Sequence, residues 1–199
     1  MTPEDEKEIV ALMRAAREKS RGYADFYGWP TDRDIEEWGV VTTLWESLQR
    51  TGESFFDDIK RRGRGNDPPD CEAVDVEGKR IAIEVTELVC PEAIQAYKEG
   101  RVYDWAQWPK ERFIAEIARR IADKGTRYGK LKGGPYEGGY IVLIFTDEPM
   151  LPIETVREFL SGHVFEKPEG VTRAFLLVSY HPSVQMHPYA ELPLGSRNP

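Results

Sequence analysis

The chain is poor in the residues on which several common chemistries depend. It has two cysteines, Cys71 and Cys90, in 199 residues. Neither has a CxxC partner or a histidine at a zinc-ligand spacing, and two cysteines do not make a disulfide framework. A reduced, cytoplasmic protein is the expectation. There are three histidines, His163, His181 and His187. The last two sit in a proline-rich tail with no carboxylate near them in sequence, so no triad or metal role is expected of them. A Walker loop, a Rossmann glycine pattern and a nucleophile elbow are all missing. The start, MTPEDEKEIV, is acidic and has no apolar signal-peptide core. No apolar run approaches the roughly 20 residues of a membrane span, so no membrane partner is expected. Positive charge is also scarce. Lys and Arg number 27 against 35 Asp and Glu, a net charge of -8. The molecule as a whole does not attract nucleic acid, and an anionic partner needs a local basic patch.

What is present describes one folded domain over 1–199, with 40% hydrophobic residues and five tryptophans. Residues 3–20 predict a helix, followed by an aromatic loop, RGYADFYGWPT. Thr31 or Asp32 caps a second helix over 33–50, with Val41, Leu44 and Leu48 facing inward between Trp38 and Trp45. Residues 53–60 read as a further helical turn. A basic loop, KRRGRGNDPP, leads into two strands, 71–76 and 79–87, joined around Glu77-Gly78. Residues 90–109 read as irregular. A third long helix over 109–124 carries Phe113, Ile114, Ile117 and Ile121 on one stripe. YIVLIFT and TRAFLLVSY are continuous apolar runs of the kind buried on both faces, and IETVREFL between them reads as a short helix. The tail, 180–199, reads as irregular. The order predicts an α/β domain with a mixed central sheet between helices.

The stretch PPDCEAVDVEGKRIAIEVTEL, 68–88, carries the chemistry. Side chains alternate along a strand. Ile81, Ile83 and Val85 therefore share a core face, while Ala82, Glu84 and Thr86 share the other. A carboxylate inside such a strand is costly to bury. Asp70, at the mouth of the neighbouring strand, comes close to Glu84 in a hairpin. Two such acids repel unless a proton or a cation lies between them. Hard cations such as magnesium take oxygen ligands, often one or two carboxylates with water, and the Val85 carbonyl is a further oxygen. The plain alternative is that Glu84 is exposed or paired with an arginine.

PPD followed fourteen positions later by EVT in an apolar strand resembles the PD-(D/E)xK nuclease superfamily, the restriction-endonuclease-like fold. The resemblance covers residues 33–179. IEVTEL, GPYEGGYIVLIFTDEP and TRAFLLVSY together are also similar to a group of small bacterial proteins with that core. The resemblance implies a three-layer domain with helices flanking the mixed sheet. It implies that Asp70 and Glu84 hold Mg2+ (or Mn2+) and that a lysine two positions after the Glu helps activate water. Here that position is Thr86, which cannot supply positive charge. Either activity is lost or the lysine comes from elsewhere. Lys124 extends the Ile117 and Ile121 stripe and is the first candidate, with Lys110 in reserve. Otherwise Lys124 only complements the helix dipole. Thr86 is left to hydrogen-bond the water. The superfamily often adds an acid from the preceding helix. Glu37 shares the face of Val41, Leu44 and Leu48, and Glu46 does not.

Lys60, Arg61, Arg62 and Arg64 precede Asp70, and Arg119, Arg120, Arg127, Lys130 and Lys132 surround the end of the third helix. If both groups flank the hairpin, Arg61, Arg62, Arg64, Arg120 and Arg127 form a phosphate-binding rim. Tyr97, Tyr103, Trp105 and Trp108 either stack on bases or pin their loop to the core. The resulting expectation is a metal-dependent nuclease acting on DNA or RNA, with a homodimer as one arrangement. The alternatives are a catalytically inactive nuclease-fold module that binds a partner, and a metal hydrolase acting on another substrate.

Overall fold

The structure, a computed structural model, describes residues 10–11, 33–63 and 65–195. The expected helix 3–20 lies outside this range except for residues 10 and 11, which are helical. The aromatic loop, the Thr31 or Asp32 cap, Arg64 and residues 196–199 also lie outside it.

Helix α1 spans Arg33–Thr51, with Asp34 and Glu36 in its first turn and Arg50 in its last, charges that suit the helix dipole. Strand β1 is Phe56–Arg61, β2 is Cys71–Asp75 and β3 is Arg80–Glu87. Helix α2 spans Pro91–Lys98 and α3 spans Lys110–Gly125. Then come β4, Gly139–Thr146, α4, Ile153–Leu160, and β5, Phe165–Glu166. Strands β6, Val171–Val178, β7, Tyr189–Glu191, and β8, Leu194–Gly195, complete the described chain.

Six strands form one mixed sheet in the order β1-β2-β3-β4-β6-β7, and β5 pairs with β8. The β1-β2-β3 meander is antiparallel, β3-β4-β6 is parallel, and β7 returns antiparallel on β6. Helices cover both faces. Val40, Val41, Leu44 and Leu48 of α1 pack on Ile81, Ile83 and Val85. Phe113, Ile117 and Ile121 of α3, with Ile153, Val156 and Leu160 of α4, pack on Ala82, Val142 and Leu176. Each such side chain withdrawn from water contributes about 1.5–3 kcal/mol. The two faces of β3 are thus those its alternation predicts, and β4 and β6, like most of β3, are buried on both sides.

Three local expectations are corrected. Residues 56–61 are a strand, not a helical turn. Only Phe56 of that strand is buried, as befits an edge strand with one paired side. Residues 91–98 are helical rather than irregular, anchored by the small buried residues Ala93 and Ala96. The tail is not wholly irregular, because β7 closes one edge of the main sheet and β8 pairs with β5. Among the described residues, no helix is long and apolar enough to cross a membrane.

Candidate functional site

The β2-β3 hairpin builds the site. Its turn is closed by the Asp75 carboxylate, which accepts the N–H groups of Glu77 (2.9 Å) and Lys79 (2.8 Å). Gly78 takes the positive φ of 81° that this tight turn requires. The register sets Cys71 opposite Ile83, so Asp70, one residue earlier, arrives beside Glu84. There the side chain takes over from the ladder. Asp70 Oδ2 accepts the Val85 N–H at 2.7 Å. The N–H and C=O of one residue in an extended strand point to the same edge. The Val85 carbonyl therefore faces the Asp70 side.

A lysine of α3 reaches both acids. Lys124 Nζ donates to Glu84 Oε2 and lies 3.4 Å from Asp70 Oδ2. Two contacts hold the end of the helix in place. The Tyr140 hydroxyl donates to the Lys124 carbonyl at 2.7 Å. Gly125 packs so closely on Pro168 that a Cβ there would lie 2.4 Å from the proline side chain. Arg127, just beyond the helix, adds a second cation. It donates to Glu84 Oε2 (2.8 Å) and to Asp67 Oδ1 (2.7 Å).

Asp67 was not singled out in the sequence. It lies three residues before Asp70 in NDPPD, and its only local signal is an acid held next to two prolines. One carboxylate oxygen from each of Asp67, Asp70 and Glu84 lies within 4.8 Å of the others. Glu84 is 0% exposed, and its second oxygen, Oε1, is buried without a hydrogen-bond partner. A bare buried carboxylate oxygen is costly, and a cation with hard-oxygen preference satisfies it. This buried acidic cluster fits a divalent metal ion.

The electrostatics agree. Burial, then the neighbouring Asp70 charge, pushes Glu84 up to about 7, against the pull of Lys124 and Arg127. Burial also raises Asp70, opposed mainly by Lys124. Glu37 is pushed up to about 7 by burial and by Asp70, while its bond from Arg33 Nε (2.6 Å) pulls the other way. Glu37 stands outside the close trio. It lines a 260 Å³ cavity with Arg33, Asp34, Gly63, Asp67 and Asp70.

The other candidates fall elsewhere. Thr86 is half-buried on the Glu84 face. Lys110 is exposed at the start of α3, and Lys79 pairs with Glu77 in the hairpin turn. Arg61 is exposed at the end of β1. Arg62 is held by Glu72 (3.1 Å) and by the Lys132 carbonyl (3.2 Å). Arg120 is not a surface cation. It is buried and donates to the Glu87 carbonyl (2.6 Å) and the Glu116 carbonyl (3.0 Å). Of the described members of the expected rim, Arg127 is the one that contacts the acids. Trp108 is buried, and Tyr103 and Trp105 pack on the core, so these aromatics pin their segment. Tyr97 is more exposed.

No family model, curated protein or solved structure matches the chain.

Proposed function

We propose that the protein is a metal-dependent nuclease with a divergent PD-(D/E)xK site on a restriction-endonuclease-like fold. The observation that carries this reading is the Lys124 ammonium between Asp70 and Glu84, on the strand face where the motif's own lysine position is Thr86. In this reading Asp70, Glu84, Asp67 and the Val85 carbonyl hold Mg2+ or Mn2+, and Glu37 takes part from the cavity side. The ion, when bound, lowers the pKa of a coordinated water and offsets charge on phosphoryl oxygens. Lys124, as an ammonium, orients the attacking water, Thr86 hydrogen-bonds it, and Arg127 receives the phosphate.

The test is cleavage of a panel of single- and double-stranded DNA and RNA with Mg2+ or Mn2+. Activity should vanish in Asp70→Ala and Glu84→Ala and persist in Glu46→Ala, whose side chain is exposed on α1. Equal activity in all three variants sinks the assignment. A second reading, an inactive module that binds a partner, is favoured by one observation. Lys124 and Arg127 already offset much of the acids' charge without a metal. The two readings separate on thermal stability. A metal site raises the melting temperature with Mg2+ or Mn2+, and a module without one shows no shift.

A further inference from the structure

The cluster is close to neutral by itself, but not quite. With all three acids ionised, as metal ligation requires, Asp67, Asp70 and Glu84 face the two cations Lys124 and Arg127, which leaves one net negative charge. A divalent cation alone turns this to one net positive charge. A phosphodiester-like anion alone deepens it to two negative charges. Both together restore neutrality, and around the buried Asp70, Glu84 and Lys124 that balance weighs heavily.

The two cations are not equivalent. The Lys124 side chain is 10% exposed, behind Asp70 at 3% and Glu84 at 0%. Arg127 is 27% exposed, and its partner Asp67 is 41% exposed. An anion from solvent reaches Arg127 first. Its guanidinium now spends one N–H on Glu84 and another on Asp67, two residues from different segments. A planar fork of this kind matches two oxygens of one phosphate equally well. When a phosphate takes those N–H groups, oxygens of Glu84 and Asp67 are released, and both acids belong to the metal-binding trio.

We propose that Arg127 is an anion receptor exchanging between these carboxylates and a phosphate-type ligand, so that anion and divalent cation bind cooperatively. The inference rests on the metal-binding reading of the cluster and not on cleavage. Coupling of this kind is reciprocal, each ligand raising the affinity for the other by the same factor.

The experiment is calorimetric titration of the full chain with Mg2+, in chloride and in dimethyl phosphate, a singly charged phosphodiester, at matched ionic strength. Association of Mg2+ with dimethyl phosphate in solution is subtracted. Dimethyl phosphate should raise the Mg2+ affinity about fivefold or more, within the usual range of coupling between sites. Arg127→Gln should abolish the enhancement and bind Mg2+ more tightly than wild type in chloride. Arg127→Lys, which keeps the charge but loses the fork, should show a reduced enhancement. It carries the test if the Gln variant fails to fold by circular dichroism. Equal affinity in both buffers for wild type, or an undiminished enhancement in either folded variant, overturns the proposal. Nucleic-acid cleavage without coupling overturns it and leaves the nuclease reading standing. Coupling without cleavage does the reverse.

Discussion

Two buried glutamates sit on neighbouring strand segments and are treated in opposite ways. Glu148, 3% exposed just after β4, binds neutral, fixed donors. Its Oε1 accepts the Cys90 N–H at 2.6 Å and its Oε2 accepts the Trp108 indole N–H at 3.0 Å. Both oxygens are engaged, and the side chain ties the end of β4 to the start of α2 and to the segment before α3. Glu84, 0% exposed in β3, is held on one oxygen by two charged side chains and is bare on the other. The first arrangement is a strut. The second holds charge that can be rearranged, and it is where a ligand gains most. Burial of an acid therefore says little about its role, and the kind of partner it keeps says more.

The comparison can be broken by experiment, and the largest effect should come from the lysine. Lys124→Met leaves Asp70 and Glu84 buried without their shared ammonium and should cost about 3 kcal/mol by urea denaturation. A loss below about 1 kcal/mol, the scale of a surface pair, would mean that the charges are not interdependent. Glu148→Gln should cost about 2 kcal/mol, because the amide nitrogen is set against an N–H donor and leaves it unpaired. Its Mg2+-induced melting shift should match that of wild type. A lost shift would make Glu148 part of the metal site and end the contrast.

The pH dependence comes next. Glu84 and Glu37 both lie at about 7 in the folded protein, above their ordinary value of 4.5. The folded state holds their protons more tightly than the unfolded chain does. Their stabilising contribution is therefore complete below about pH 4.5 and is lost as pH rises through about 7. Metal-free protein should lose stability over that window, and Glu84→Gln should flatten the slope. Unchanged slope in that variant would place the titration elsewhere. The smallest effect belongs to Glu46→Ala, exposed on α1, which should stay within about 0.5 kcal/mol of wild type.

Much of the fold was legible because burial imposes a period. Phe113, Ile117 and Ile121 repeat at helical spacing and are buried in α3. YIVLIFT lacks polar interruption and forms most of β4, buried on both faces. Where burial is slight, the signal fades. Strand β1 buries only Phe56, and α2 buries two alanines that leave no apolar stripe. In the site, Glu84 was readable because a carboxylate interrupts an apolar pattern, and Asp70 because PPD places an acid at the mouth of the paired strand. Asp67 interrupts nothing, since it lies in a loop that is already polar. Arg120 and Arg127 read alike in sequence. One is consumed by the Glu87 carbonyl and the other faces the acids.

By itself the sequence determined the succession of the β2-β3 hairpin, α3, β4, α4 and β6, the two faces of β3 and the pairing of Asp70 with Glu84, because periodicity and turn chemistry act over a few residues. Tertiary structure alone decided which cation stands between those acids. Lys124 is forty residues from Glu84 in the chain, and they meet only because α3 packs on the sheet beside β3. Charge interactions depend on distance and burial, and neither quantity exists until the helix has docked.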